Sequence, residues 1–329
     1  MAVDIGSLSQ GIRAGKRRSL AKGLTLIESR RSEDRLKAQE LLDRVYSDRM
    51  TSHRIGISGS PGVGKSTFIE AFGTYFLDQG HRLAVLAIDP SSPRSHGSIL
   101  GDKTRMQDLA VAENCFIRPS PAGLSLGGVA RRTREAILLC EAAGYDTILI
   151  ETVGVGQSEH VISTMVDLFL CLTLPHAGDQ LQGIKKGIME LADLVIVTKA
   201  DGAFQHAARQ AAADHQAALH YLRPDPERLN PEVYLCSAVE KHGLETIYQA
   251  MQRMLGELKT SGRFERRRQH QNQTWFQSEI YEQLMEQLQE SHRFQTLIND
   301  METQVASAAL PAPTAAGRIV QEILRRLKV

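Results

Sequence analysis

Nine consecutive residues, Gly59, Ser60, Pro61, Gly62, Val63, Gly64, Lys65, Ser66 and Thr67, have the types and spacing that hold a chain of phosphates. The three glycines let the backbone turn so that its N–H groups converge on phosphate oxygens, and a helix starting there adds its positive end. Lys65 supplies a cation for the β and γ phosphates, and Ser66 a hydroxyl for magnesium. A glycine-rich turn ahead of an ordinary helix is the plainer alternative. The context favours the phosphate site, because an apolar run at 55–57 precedes the turn and a helical stretch at 66–79 follows it.

A second element, Thr198-Lys199-Ala200-Asp201, follows the apolar run Leu194–Val197. A carboxylate at Asp201 accepts hydrogen bonds from the guanine N1–H and exocyclic amino group, neither of which adenine offers. Each such charge-assisted bond contributes roughly 1.5–3 kcal/mol, so the pair discriminates strongly. Thr198 stands where most guanine-reading motifs carry Asn, and its hydroxyl is expected to replace part of that bonding. The signal-recognition GTPases use the same Thr-Lys-x-Asp form. Ser237-Ala238, just past the last apolar run, is expected to turn backbone amides toward the base oxygen. The ligand implied is GTP or GDP with Mg2+.

Three carboxylates stand where hydrolysis would be organised. Asp89 closes one apolar run, Glu151 closes another, and Asp102 lies in the polar stretch between them. A carboxylate at a strand end often only caps a helix. At the carboxyl ends of parallel strands, however, it faces the ligand crevice, where it can hold magnesium or orient water. The stretch 90–105 carries scarcely any apolar residue apart from Ile99 and Leu100 and is expected to be a phosphate-ordered switch, with Arg94 and Arg105 as its arginines. The turn 153–157 offers the Gly154 amide to the γ phosphate, and 175–186 forms a third polar loop.

These residues need a scaffold. Short apolar runs at 55–57, 83–88, 147–150, 168–174, 194–197 and 233–236 alternate with helical stretches, two of which (66–79 and 129–143) are closed by Gly80 and Gly144. Runs apolar on both faces imply a mostly parallel sheet flanked by helices. Before it, 1–50 reads as an N-terminal helical extension with Leu36, Leu41, Leu42 and Val45 at helical spacing. The α/β domain then occupies 51–261. Residues 262–329 read as C-terminal helices in which Phe276, Ile280, Leu284 and Leu288 form a stripe, with an Ala/Pro linker at 308–313 and a last helix at 316–327.

Lys and Arg total 39 against 38 Asp and Glu, a net charge of +1, so no overall field favours polyanions. Arg263, Arg266, Arg267 and Arg268 have only Phe264 as an aromatic companion, which suits a solvated helix face better than a nucleic-acid site. No window holds the unbroken apolar run of about 18 residues that would span a bilayer. The basic start, Arg13 to Arg18, suits a cytoplasmic helix better than a transit peptide. Cys115, Cys140, Cys171 and Cys236 lie apart among apolar residues, as reduced core thiols do.

Four stretches resemble the MeaB-type GTPases: Asp89-Pro-Ser-Ser, Gly97-Ser-Ile-Leu-Gly-Asp-Lys-Thr-Arg-Met106, Glu151-Thr-Val-Gly-Val-Gly-Gln-Ser-Glu159 and Ala177-Gly-Asp-Gln-Leu-Gln-Gly-Ile-Lys-Lys186. The likeness runs from about Gly11 to the final helix. It implies a P-loop GTPase of the SIMIBI class and a homodimer held by its C-terminal helices, with an adenosylcobalamin-dependent methylmalonyl-CoA mutase as client. On this resemblance Lys65, Asp89, Asp102 and Glu151 take the family's catalytic positions, and 175–186 is the loop that communicates with the mutase. A metal-delivery GTPase is the first alternative, but the eleven histidines are scattered and no close cysteine pair exists. A P-loop kinase or transport ATPase is the second, against which Asp201 and Ser237-Ala238 argue.

Overall fold

The computed structural model describes residues 4–29, 31–47, 50–89, 106–121, 126–152, 158–175, 189–220 and 227–327. Seven strands form one sheet in the order β3-β2-β4-β1-β5-β6-β7, every neighbouring pair parallel. They are β1 (His53–Gly59), β2 (Leu83–Asp89), β3 (Cys115–Pro121), β4 (Thr147–Thr152), β5 (Leu168–Thr173), β6 (Leu194–Val197) and β7 (Glu232–Leu235). Strands β4, β5 and β6 are buried throughout, as expected of a parallel sheet covered on both faces.

Six of these strands coincide with the apolar runs in the sequence. The seventh, β3, does not, because Arg118, Pro119 and Pro121 interrupt its apolar character. Its position resolves the conflict. It pairs only with β2, at the sheet edge, where a proline does not break a ladder on its free side. Arg118 then reaches α2 (Arg17–Glu28), where it pairs with the Glu28 carboxylate and lies 3.3 Å from the Thr25 hydroxyl.

That contact belongs to the cover formed by the N-terminal helices α1 (Ile5–Arg13), α2 and α3 (Ser32–Tyr46). Asp4 caps α1 by accepting from the amides of Gly6 and Ser7. Leu20, Leu24, Leu41 and Val45 are fully buried and join one core cluster with Ile137, Leu139 and Cys140 of α6 (Leu126–Ala142). Around the sheet lie α4 (Lys65–Asp78), α5 (Gln107–Val111), α7 (Ser158–Ser163), α8 (Gln205–His220) and α9 (Leu244–Thr260). The opposite face carries a second cluster in which Phe68, Phe72 and Phe76 of α4 pack with Met251, Met254 and Leu255 of α9.

All four cysteines are free and buried, and burial pushes the thiols of Cys115, Cys171 and Cys236 up to about 12, so they are inert packing groups. His215 of α8 is 1% exposed, and burial pushes its pKa below the usual histidine range, against the opposing pull of the Asp214 charge.

The helix α10 (Arg263–Glu290) begins in this first compact unit, residues 1–271, with an outcome the composition did not suggest. Its arginines do not form a uniformly solvated face. Arg268 grips the Asp167 carboxylate at 2.8 and 2.7 Å and the Ser52 carbonyl at 2.7 Å, and Arg267 donates to the Asp167 carbonyl. Only Arg266 keeps to the surface expectation, in an exposed pair with Glu227.

The second unit, residues 272–329, comprises the remainder of α10 with α11 (His292–Ala306) and α12 (Ala312–Leu327). Helix α12 starts at Ala312 rather than 316, since Pro313 in a first turn forfeits no intrahelical bond. Phe276, Ile280 and Leu284 of the stripe are 66%, 45% and 59% exposed. No helix among the described residues is long and apolar enough to cross a membrane.

Candidate functional site

Because every strand runs the same way, the carboxyl ends of β1, β2, β4, β5, β6 and β7 open on one edge of the sheet. There β1 ends at Gly59 and α4 begins at Lys65. Gly62 and Gly64 adopt φ of +80° and +94°, and a Cβ at either would meet nothing within 4 Å. Backbone conformation, not crowding, therefore requires glycine at both. Gly59 is constrained differently: a Cβ there would approach the Leu172 carbonyl oxygen of β5 to 2.6 Å. Ser66 lies half-buried in the first turn of α4, and Thr67 beside it is exposed. The Lys65 ammonium donates to the Gly59 carbonyl at 2.8 Å and lies 3.4 Å from that of Ser60, so the cation sits over the turn that would receive phosphate.

The residues read from sequence as base-recognising are joined directly to this turn. Thr198, 5% exposed, places its hydroxyl 2.8 Å from the Val63 carbonyl and 3.0 Å from that of Thr173. Its one proton is thus engaged with the phosphate loop and the end of β5, which joins the base motif to both. Lys199, held at φ +54°, donates from its ammonium to the Gly62 carbonyl at 2.9 Å. A single dipeptide therefore grips two carbonyls of the phosphate turn.

Asp201 leaves the same motif toward the second loop. The Ala200 amide donates to the Cys236 carbonyl at 3.1 Å, and the fully buried Ser237 donates its hydroxyl to Asp201 Oδ2. That hydroxyl also accepts from the Glu240 amide at 3.1 Å. The Ser237 amide donates to the His242 carbonyl at 3.0 Å, and its side chain orients the Asp201 carboxylate, a contact that a backbone reading of the loop passed over. Ala238 follows it in the turn.

Glu151, the penultimate residue of β4, is 7% exposed and has Ile57 of β1 and Ala87 of β2 as its strand partners. Asp89 closes β2 opposite Pro121. Asp102, Gly154, Arg94, Arg105 and the loop residues from Ala177 to Lys186 lie outside the described residues. A magnesium ion fits the donors present. Ser66, Glu151 and Asp89 carry hard oxygen donors of the kind magnesium takes. An ion bound by few protein oxygens and by phosphate is how magnesium is commonly held.

Comparison with known proteins agrees with this geometry. Residues 20–293 match the family described as Methylmalonyl Co-A mutase-associated GTPase MeaB. A Caulobacter vibrioides protein named as a putative GTPase is 47% identical over 319 residues, which cover 97% of this chain and 98% of that protein. The Mus musculus protein named methylmalonic aciduria type A homolog, mitochondrial, is 44% identical over 332 residues, 98% of this chain and 80% of its own. A crystal structure described as LAO/AO transport system kinase superposes with a TM-score of 0.76 at 36% identity, covering 98% of this chain and all of that one. With a phosphate turn, a guanine motif and a family match over most of its length, the chain belongs to the MeaB family of GTPases, enzymes that bind guanine nucleotides and hydrolyse GTP.

Proposed function

We propose that this GTPase is a cytoplasmic chaperone that gates cofactor loading or protection of an adenosylcobalamin-dependent methylmalonyl-CoA mutase, acting as a homodimer through residues 262–329. The observation that carries the reading is the family match over 20–293, whose description couples the GTPase to that mutase; the name of the mouse relative adds support. The exposed stripe Phe276, Ile280 and Leu284 supports self-association, since large apolar patches rimmed by polar residues favour burial.

In this reading Gly59 to Thr67 cradle the phosphates, with Lys65 as the cation. Ser66, with Asp89, Asp102 or Glu151, would hold Mg2+, which would supply charge neutralisation at the γ phosphate. Asp201 reads guanine, and Thr198, Lys199, Ser237 and Ala238 hold the base loops in place, while Gly154 senses the γ phosphate. Asp201→Asn is expected to move preference from GTP toward xanthosine triphosphate, because the amide reverses one donor–acceptor match and a buried mismatch is costly. An unchanged GTP/XTP affinity ratio would show that Asp201 does not read the base.

Phosphoryl transfer depends on positioning and charge neutralisation. The isolated protein is therefore expected to hydrolyse GTP slowly and to accelerate when the mutase is bound, because the partner raises the population of the competent arrangement. Steady-state phosphate release with and without mutase tests this, with light scattering on the same samples to read the mass. Turnover on the order of 1 per second in the isolated protein, or indifference to the mutase, would refute the gating. A monomeric mass at micromolar concentration would refute the dimer.

A further inference from the structure

Behind the phosphate turn, on the sheet face that α7 covers, three polar side chains are buried together. Ser58, the β1 residue before Gly59, and Thr152, the β4 residue after Glu151, have no exposed surface, and Glu159 of α7 is 1% exposed. Thr152 donates its hydroxyl to Ser58 Oγ at 2.9 Å, and Ser58 Oγ lies 3.5 Å from Glu159 Oε1. Ser58 pairs across β5 with Cys171, whose thiol is pushed up first by burial and then by the Glu159 charge.

Strand alternation places Glu151 on the other face. Leu149 belongs with Ile57 and Phe68 to the cluster under α4, whereas Ile148 and Ile150 belong with Ile162 of α7. A residue two on from Leu149 therefore lies on the nucleotide side, and Thr152 lies on the α7 side.

Burying two hydroxyls and a carboxylate costs stability unless each is hydrogen-bonded, and apolar residues could fill the same space. What this group adds is direction. Ser58 directs its hydroxyl toward Glu159 Oε1, which leaves Ser58 Oγ to accept from Thr152. Both hydroxyl rotamers are fixed by that order, and with them the last residues of β1 and β4. The two strand ends so joined are those that open the phosphate turn and carry Glu151.

We propose that Glu159, acting through Ser58 and Thr152, is a positioning residue for GTP hydrolysis that holds the Glu151 end of β4 in register with the start of the phosphate loop without touching the nucleotide. The proposal rests on the reading of Glu151 as a group that serves hydrolysis. Ground-state nucleotide binding relies on the phosphate turn and the base loops, so loosening this clamp acts on turnover. Misplacement of a reacting group by about 1 Å can cost on the order of 100-fold in rate.

The test is steady-state GTP hydrolysis by the full chain carrying Glu159→Gln, which keeps size and shape but can donate as well as accept. A fall in kcat of at least about tenfold is expected, with KM for GTP and Kd for GDP changed by less than about twofold and the melting temperature nearly unchanged. Thr152→Val, which removes the hydroxyl at constant volume, is expected to behave alike, and Thr152→Ser, which restores it, to recover turnover. An unchanged kcat in folded Glu159→Gln or Thr152→Val overturns the proposal. So does a loss of kcat that follows GDP affinity and melting temperature, since that is a structural role only. Glu151→Gln separates the two readings. If it abolishes turnover while Glu159→Gln does not, the positioning role alone fails; if it leaves turnover intact, the reading of Glu151 fails and the proposal with it.

Discussion

Lys65→Ala is expected to weaken GTP binding by roughly 100-fold or more, measured by calorimetry with magnesium present. The Lys65 ammonium already lies at the phosphate turn, 2.8 Å from the Gly59 carbonyl, and is partly buried there. Charge-assisted hydrogen bonds contribute about 1.5–3 kcal/mol each. Two of them, to the β and γ phosphates, amount to about 3 kcal/mol at the low end, and every 1.4 kcal/mol is tenfold in affinity. The turn itself should survive, because Gly62 and Gly64 set its path and Thr198 and Lys199 hold it from outside. Near-normal affinity in a folded Lys65→Ala protein would remove Lys65 from the nucleotide site.

Asp167→Ala is expected to destabilise the protein by about 3 kcal/mol, at the lower end of the range for breaking a buried ion pair. The Asp167 carboxylate, 1% exposed, accepts two bonds from Arg268 and one from the Arg54 amide at 2.7 Å. Its removal leaves the Arg268 guanidinium buried, with Glu141 still 3.7 Å away, so compensation is partial. Arg266→Ala is the contrast. That pair is 53% and 62% exposed, and loss of such a pair costs at most about 1 kcal/mol. Urea unfolding of the two variants should show the difference in midpoint at constant slope. GDP affinity should be unchanged in both, because Asp167 precedes β5 at the end of the sheet away from the phosphate turn. Equal losses in the two variants would mean that burial does not set the worth of Asp167.

Much of the site was legible from residue order because its parts are local. A phosphate turn needs its glycines, lysine and serine within one loop between a strand and a helix, so Gly59 to Thr67 declare both ligand and position. The base motif is equally compact, and strands apolar on both faces announce a parallel sheet whose carboxyl ends share one edge. The edge strand β3 escaped because apolar pattern was the signal used, and an edge position excuses Arg118 and two prolines from following it.

From the sequence alone came the nucleotide class, the resemblance to a GTPase family and the parallel sheet, because each depends on side chains close in the chain or on a repeating pattern along it. Tertiary structure alone decided what those side chains are bonded to. The Thr198 hydroxyl meets Val63, 135 residues earlier, and Arg268 meets Asp167, 101 residues earlier. Ser58 meets Thr152 and Glu159, 94 and 101 residues later. No local pattern encodes such partners. A hydroxyl or guanidinium has the same chemistry on the surface as in the core, and only burial beside a particular acceptor makes it a clamp rather than a solvated group.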